Sequence, residues 1–355
     1  MAKVTFNNTD SVFYDSLKSK VKRYFSENKI RSTGNFTLYM KALTLIPAAF
    51  ILYFVLLLTP LNPVIAILLC GLLGFVLASI GFNVMHDACH GSYSTKNWIN
   101  NTLGLSINCL GGNAFIWKMK HNIIHHTYTN VDGIDDDIQK LPIIRQCESQ
   151  KKLKIHKYQH YYSVVAYALS SFLWVFFMDF VKYFNRKVLS RPMTGITWKE
   201  HVIFWASKLL YVLFYIAVPV YFVGAWPWFI GFSVMHLVEG FTLAMVFQLA
   251  HVVEDTHFVD ANVHEQKIDQ EWAIHQVRTT ANFATKNKII SWFAGGLNFQ
   301  VEHHLFPKIS HVHYPAISRL VKETCAEYSV AYINYPTLRA AVLSHFRFMK
   351  HLAKN

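Results

Sequence analysis

The chain has 355 residues, of which 53% belong to the apolar set AVILMFWYC and only 15% are charged, against roughly 25% charged in an average soluble domain. Its formal charge is nevertheless +13, from 34 Lys and Arg against 21 Asp and Glu. That balance argues against an ordinary soluble fold and points to a lipid bilayer with anionic headgroups. With the basic residues scattered over several polar loops and no zinc-finger or RNA-binding signature, no nucleic-acid partner is expected.

In chain order, residues 1–41 are polar, mix acidic and basic groups and lack the apolar core of a signal peptide, so they read as a cytosolic N-terminal segment. The remainder, 42–355, reads as one membrane domain. A helix needs about 20 apolar residues to cross the hydrocarbon core, and apolar runs at about 42–58, 63–82, 202–223 and 227–250 meet that need. Thr59-Pro60-Leu61-Asn62 joins the first two and Gly224-Ala225-Trp226-Pro227 the last two. Both links are short enough only for tight hairpins. The stretch 103–117 is broken by Gly104, Gly111 and Gly112 and reads as interfacial or buried in protein. The five cysteines show no CxxC spacing, so no disulfide framework is implied.

Charge sets the orientation. Lys3, Lys18, Lys20, Lys22, Arg23, Lys29, Arg31 and Lys41 crowd the first segment, whereas neither hairpin tip holds a Lys or Arg. The positive-inside rule then places the N-terminus, the middle region and the C-terminus in the cytoplasm. A fifth apolar run, 161–180, is long enough to cross, but a crossing would put Arg186, Lys187, Arg191 and Lys199 outside and separate the histidine clusters. It is therefore expected to lie in the interface or to dip and return, leaving four spans and a cap of 83–200 and 251–355.

Nineteen histidines are present, and their placement matters more than their number. His86-Asp87-Ala88-Cys89-His90 follows the second span, with 86 and 90 one helical turn apart on one face. His121-Asn122-Ile123-Ile124-His125-His126 repeats that spacing, and Gln300-Val301-Glu302-His303-His304 places Gln300 one turn before both histidines. One HxxxH or HH pair is unremarkable at this histidine frequency; three clusters on one membrane face predict a metal site. Seven histidines exceed the four-coordinate site zinc prefers and suit two metals held by imidazole, a ligand compatible with iron, zinc and copper. His251, at the cytoplasmic end of the last span, either completes the metal shell as an eighth candidate or is a solvated helix-end histidine. Asp87, Asp132, Asp135, Asp136, Asp137, Glu254, Asp255 and Glu302 stand near the clusters, either as solvated polar residues or as acceptors fixing the far N–H of ligating imidazoles. His236 and Glu239 lie inside the last span and read either as a functional site or as a polar contact facing the bundle. His156, His160, His201, His257, His264, His275, His311, His313, His345 and His351 lack such spacing and read as ordinary.

The three clusters resemble the histidine boxes of integral-membrane fatty acid desaturases. The stretch from Leu297 to Pro307, with glutamine opening the third box, is similar to that of the front-end group. The resemblance covers the chain from about residue 40 onward. It implies an all-α integral-membrane fold with four transmembrane helices in two hairpins, interfacial helices and a cytosolic helical cap holding a di-iron site. It assigns iron to His86, His90, His121, His125, His126, His303 and His304, with His251 as an additional ligand. Asp87, Asp135, Asp136, Gln300 and Glu302 are the residues expected behind them. Two departures stand out: no His-Pro-Gly-Gly haem motif occurs in these residues, and Phe247 occupies the place where stearoyl-CoA desaturase-like members have an asparagine ligand. The implied activity is O2-dependent introduction of a double bond into a fatty acyl-CoA or acyl-lipid, with the front-end position favoured. Without a flavin, nicotinamide or haem motif, electrons must come from an external carrier such as ferredoxin or a cytochrome b5-like protein, docked on a basic face. The expected location is a bacterial cytoplasmic membrane, or the endoplasmic reticulum in a eukaryote. The same residues leave open a di-iron lipid hydroxylase or monooxygenase, and a non-enzymatic membrane protein that binds metal or haem.

Overall fold

The computed structural model describes residues 4–8, 11–139, 142–189, 191–261 and 267–354; His264 lies outside them. The described residues are mostly helical, and the chain divides into two compact units, one of residues 35–119 and 164–245, the other of 1–34, 120–163 and 246–355.

The described residues hold four helices long and apolar enough to cross a membrane: Phe36–Leu58, Pro63–His90, Trp198–Val223 and Ala225–His251. Sequence punctuation sets their ends. Asn35 caps the first by accepting the Thr37 and Leu38 N–H groups at 3.0 and 3.4 Å, a contact worth about 1 kcal/mol. Asn62 caps the second, with Pro63 in its first turn, where no N–H is needed. Gly224 alone, at φ +85°, breaks the last two apart. Only 17% of the apolar window of Phe36–Leu58, and the same share of that of Trp198–Val223, is buried in protein. Phe50, Ile51, Phe54, Leu209 and Phe222 point outward. Leaving such side chains in water costs about 1.5–3 kcal/mol each, so their solvent is lipid.

Backbone proximity ties these helices together. A Cβ on Gly74 would collide with the Met235 carbonyl oxygen, and one on Gly231 would meet the Cys70 Sγ at 2.8 Å. Small residues thus let Pro63–His90 and Ala225–His251 approach closely, a mode suited to lipid, where burying apolar surface brings no gain.

The ambiguous fifth run is a bent pair, Lys154–Ala168 and Ser170–Asn185, with 60° between its halves. Its break docks on Gly240, where a Cβ would lie 2.5 Å from the Ala168 carbonyl oxygen, and Ser170 Oγ donates to the Gly240 carbonyl at 3.1 Å. Gly240 stands about 16 Å along the helix from His251 at about 1.5 Å per residue. The second half packs along Trp198–Val223. Asp179 pairs with Lys208 at 3.2 Å and Tyr183 meets His201 at 2.6 Å near that helix's start. Lys208 also donates to the Gly111 and Val175 carbonyls, which buries the glycine-broken stretch against protein.

The second unit carries its own core. Helix Val12–Glu27 packs Phe13, Leu17 and Val21 against Val277, Val301, Leu305, Ile317 and Val321. Short parallel strand pairs lace it: Thr5–Phe6 with Lys267–Ile268, Val131–Asp132 with Val259–Asp260, and Asn282–Phe283 with Asn334–Tyr335. Val301 and Leu305 anchor one face of helix Gln300–Leu305 in this core, which fixes the directions in which His303 and His304 project.

Candidate metal centre

Local helix geometry brings the second box together. The segment Met119–His125 is a π-helical turn, and the His126 N–H reaches back five residues to the His121 carbonyl at 3.1 Å. Widening the turn aligns residues five apart as well as four. His121 and His126 accordingly bring their Nε2 atoms within 3.2 Å, while the rings of His121 and His125 stack at 5.2 Å. The i,i+4 spacing visible in the sequence accounts for only part of this convergence. A π-turn at Gly81–Met85 likewise precedes His86 in the other unit. There the rings of His86 and His90 lie 4.6 Å apart, both edge-on to Trp117.

Within the second unit, nitrogen atoms of His125, His251 and His304 lie within 4.8 Å of one another, as do those of His126, His303 and His304. The first three rings form a nearly equilateral triangle, with centroids 4.8, 4.9 and 4.8 Å apart. All of these residues are buried.

Each of four imidazoles is held from behind at Nδ1. His125 Nδ1 lies 3.0 Å from the Asp135 carboxylate, His251 Nδ1 3.3 Å from the Thr279 carbonyl, His303 Nδ1 3.0 Å from the Tyr314 hydroxyl and His304 Nδ1 2.9 Å from Gln276 Oε1. An N–H donated at Nδ1 to a carboxylate, carbonyl or amide oxygen leaves the lone pair on Nε2, the tautomer a metal requires. His125 Nε2 is buried with no hydrogen-bond partner, at a cost of about 1–3 kcal/mol unless something else engages it. An all-imidazole donor set with a carboxylate behind it and no thiolate suits a borderline metal such as iron, zinc or copper.

The carboxylates divide. Asp135 bonds the imidazole and also accepts the Asn130 and Asp137 N–H groups, both at 3.0 Å. Asp136 and Asp137 face Lys120 at 3.9 and 2.6 Å. Asp87, buried in the other unit, lies within electrostatic reach of Lys41. Glu302 accepts from Asn282 Nδ2 and the Tyr332 hydroxyl, each at 2.8 Å; burial pushes its carboxyl up to about 7 against those two bonds. Gln300 is buried at the start of its helix. Gln276, Thr279, Thr129 and Tyr314 carry no motif, and sequence reasoning missed them. Of the ordinary histidines, His275 donates to the Thr129 carbonyl and His345 to that of Val252. His236 binds Ser171 and Tyr211 at 2.9 and 2.8 Å, so it does face the bundle.

The model of the family described as fatty acid desaturase matches residues 58–336. The chain is 35% identical over 339 residues to an sn-1 linoleoyl-lipid 6-desaturase of Synechocystis sp., covering 95% of this chain and 94% of that protein. It is 34% identical over 357 residues to the sn-1 linoleoyl-lipid 6-desaturase of Arthrospira platensis, covering 100% and 96%. With an acyl-lipid (8-3)-desaturase of Physcomitrium patens it shares 35% over 342 residues, 95% of this chain and 71% of the other.

Proposed function

The chain belongs to the fatty acid desaturase family, and on that footing we propose how its residues carry the reaction. It is a membrane oxidoreductase that introduces double bonds into fatty acyl chains. The proposed metal ligands are His86, His90, His121, His125, His126, His251, His303 and His304, holding two irons. The observation that carries this assignment is the convergence of nitrogen atoms of His125, His251 and His304, and of His126, His303 and His304, within 4.8 Å, with Nδ1 of His125 and of His304 directed at the Asp135 carboxylate and Gln276 Oε1. His86 and His90 enter on their own box and on the nearness of their rings.

When bound, two irons would supply the reduction of dioxygen to two waters, using two hydrogen atoms taken from neighbouring acyl carbons, two electrons from an external donor and two protons from solvent. The chain's residues prepare for that chemistry. Asp135 and Gln276 lock imidazole tautomers, the buried rings exclude water, and the core behind Val301 and Leu305 holds the third box rigid. The electron donor in this proposal is an acidic one-electron carrier, ferredoxin or cytochrome b5-like, attracted by the chain's positive charge.

The proposed site faces the cytoplasm. One observation supports that side: the absence of Lys and Arg from both hairpin tips. The proposed substrate is an acyl chain esterified to a lipid, with the new bond on the carboxyl side of existing ones. Two relatives are named for position 6 of a linoleoyl chain, one already unsaturated. The test is expression in a host with a simple acyl profile fed linoleate, with product mapped by position and lipid class. A new bond toward the carboxyl end, appearing first in glycerolipids, agrees with the proposal. Appearance first in acyl-CoA, or beyond the existing bonds, contradicts it.

A further inference from the structure

One surface of the second unit concentrates charge that the metal centre does not use. Lys151, Lys152, Lys154 and Lys157 lead into helix Lys154–Ala168, and Lys350 and Lys354 lie in the last turns of helix Leu338–Lys354; all six are exposed. Side chains bonded to backbone carbonyls set the two stretches side by side. Gln159 Nε2 donates to the Met349 carbonyl at 3.0 Å, Arg145 Nη1 to that of Leu352 at 2.9 Å, and Lys152 Nζ to that of Lys354. Among the described residues, none of the six lysines meets a carboxylate: Glu148 is taken by His351 at 2.9 Å, and Glu254 lies 3.7 Å from Arg347. His156, Gln159 and Ser163 are buried against protein, which turns Lys154, Lys157, Tyr161 and Val164 outward along the opposite side of their helix.

We infer that this surface docks on anionic lipid headgroups, with the lysines at the level of the phosphates and the tyrosines at the edge of the hydrocarbon. The gradation along one helix face selects a bilayer over an acidic protein. It passes from Lys154 and Lys157 to Tyr158 and Tyr161, 56% and 72% exposed, and then to Val164 and Val165, 40% and 59% exposed. Cation, aromatic and aliphatic in that order match the depth profile of a lipid interface, where tyrosine rings settle at the headgroups and basic side chains bind an anionic leaflet. Lysine stems can lie along apolar surface while their ammonium groups stay in the headgroups. A soluble acidic carrier would leave the valines without an apolar partner.

Lipid adducts counted by native mass spectrometry are the test. Full-length protein, freed of lipid in a neutral detergent, is titrated with phosphatidylglycerol and, separately, with phosphatidylcholine. Each lysine near an anionic surface contributes roughly fivefold in affinity, so the wild type is expected to prefer phosphatidylglycerol by about tenfold or more. A protein combining Lys154→Gln, Lys157→Gln and Lys350→Gln should lose that preference and stay monodisperse. A control combining Lys18→Gln, Lys22→Gln and Lys322→Gln removes the same charge from exposed positions elsewhere and should keep it. Equal loss in both proteins would make the effect one of net charge and overturn the inference. So would a wild type without the preference, or a first variant that retains it. The KM for reduced ferredoxin, measured in the same detergent, should be unchanged in the first variant; a raised KM would assign the face to the acidic carrier and overturn the inference as well.

Discussion

Asp135→Asn removes one atom's charge and changes no volume, yet it should damage the metal centre. Asp135 Oδ2 accepts from His125 Nδ1 and from the Asn130 N–H, and Oδ1 accepts from the Asp137 N–H. All three partners present hydrogens. Asparagine offers a single oxygen, so in either orientation its NH2 faces at least one buried N–H. If the NH2 turns toward His125, the ring keeps a hydrogen bond only by moving its proton to Nε2, which withdraws the lone pair from the metal. A charge-assisted hydrogen bond of this kind is worth about 1.5–3 kcal/mol. Losing the partner behind a ligating imidazole costs about 10- to 100-fold in metal affinity. The assay is titration of metal-stripped protein with ferrous ion against a competing chelator. The expected result is an affinity lower by that factor, with a lower melting temperature in the metal-loaded form. An Asp135→Asn protein that binds iron within about threefold of wild type would refute the role given to this carboxylate.

Three further outcomes follow from the same geometry. Gly74→Val should strongly lower the yield of monodisperse protein in detergent, because even a Cβ there meets the Met235 carbonyl; normal yield would show that the two helices can separate. Lys187→Cys, in a cysteine-free background, should resist a membrane-impermeant maleimide on intact cells and react once the membrane is opened. Labelling from outside would make the bent pair a crossing. Burial pulls the imidazoles of His275 and His345 down to about 4 from the usual 6.5, so the unfolded chain takes up protons first as pH falls. Their contribution is whole above pH 6.5 and is lost as pH drops toward 4, by roughly 3 kcal/mol each at most. His345→Asn retains an N–H for the Val252 carbonyl without titrating. Its melting temperature should fall less steeply over that window than the wild type's, and equal slopes would remove His345 from the account.

Much of the architecture was legible because the forces that set it are local in sequence. The Thr59–Asn62 link, Asn62 before Pro63, and Gly224 before Ala225 mark the helix ends, and the apolar runs between them have nowhere to go but lipid. The boxes were legible because a helix places His86 and His90 on one face. What stayed hidden depends on distant pairs or on departures from regular helix. Nothing near Gln276 announces that its amide will meet His304, and nothing near Thr129 announces that it will meet both. Within the Asp135-Asp136-Asp137 run, identical side chains take different partners according to which way a tight turn points them. The π-turn that draws His121 and His126 together has no composition signal of its own. The break in the fifth apolar run docks on Gly240, which lies 70 residues from Ser170 in sequence.

The central claim, hydrogen removal by a histidine-held iron centre, is tested most directly by turnover of purified, iron-loaded protein. It is given deuterium-labelled acyl lipid, dioxygen and a reducing carrier, and the products are read by mass spectrometry. The account predicts a product lighter by the two hydrogen atoms removed from neighbouring carbons, with no oxygen added, and none from a His303→Ala or His304→Ala protein that still inserts into the membrane. A main product carrying an added oxygen atom, or unchanged turnover in those variants, would contradict it.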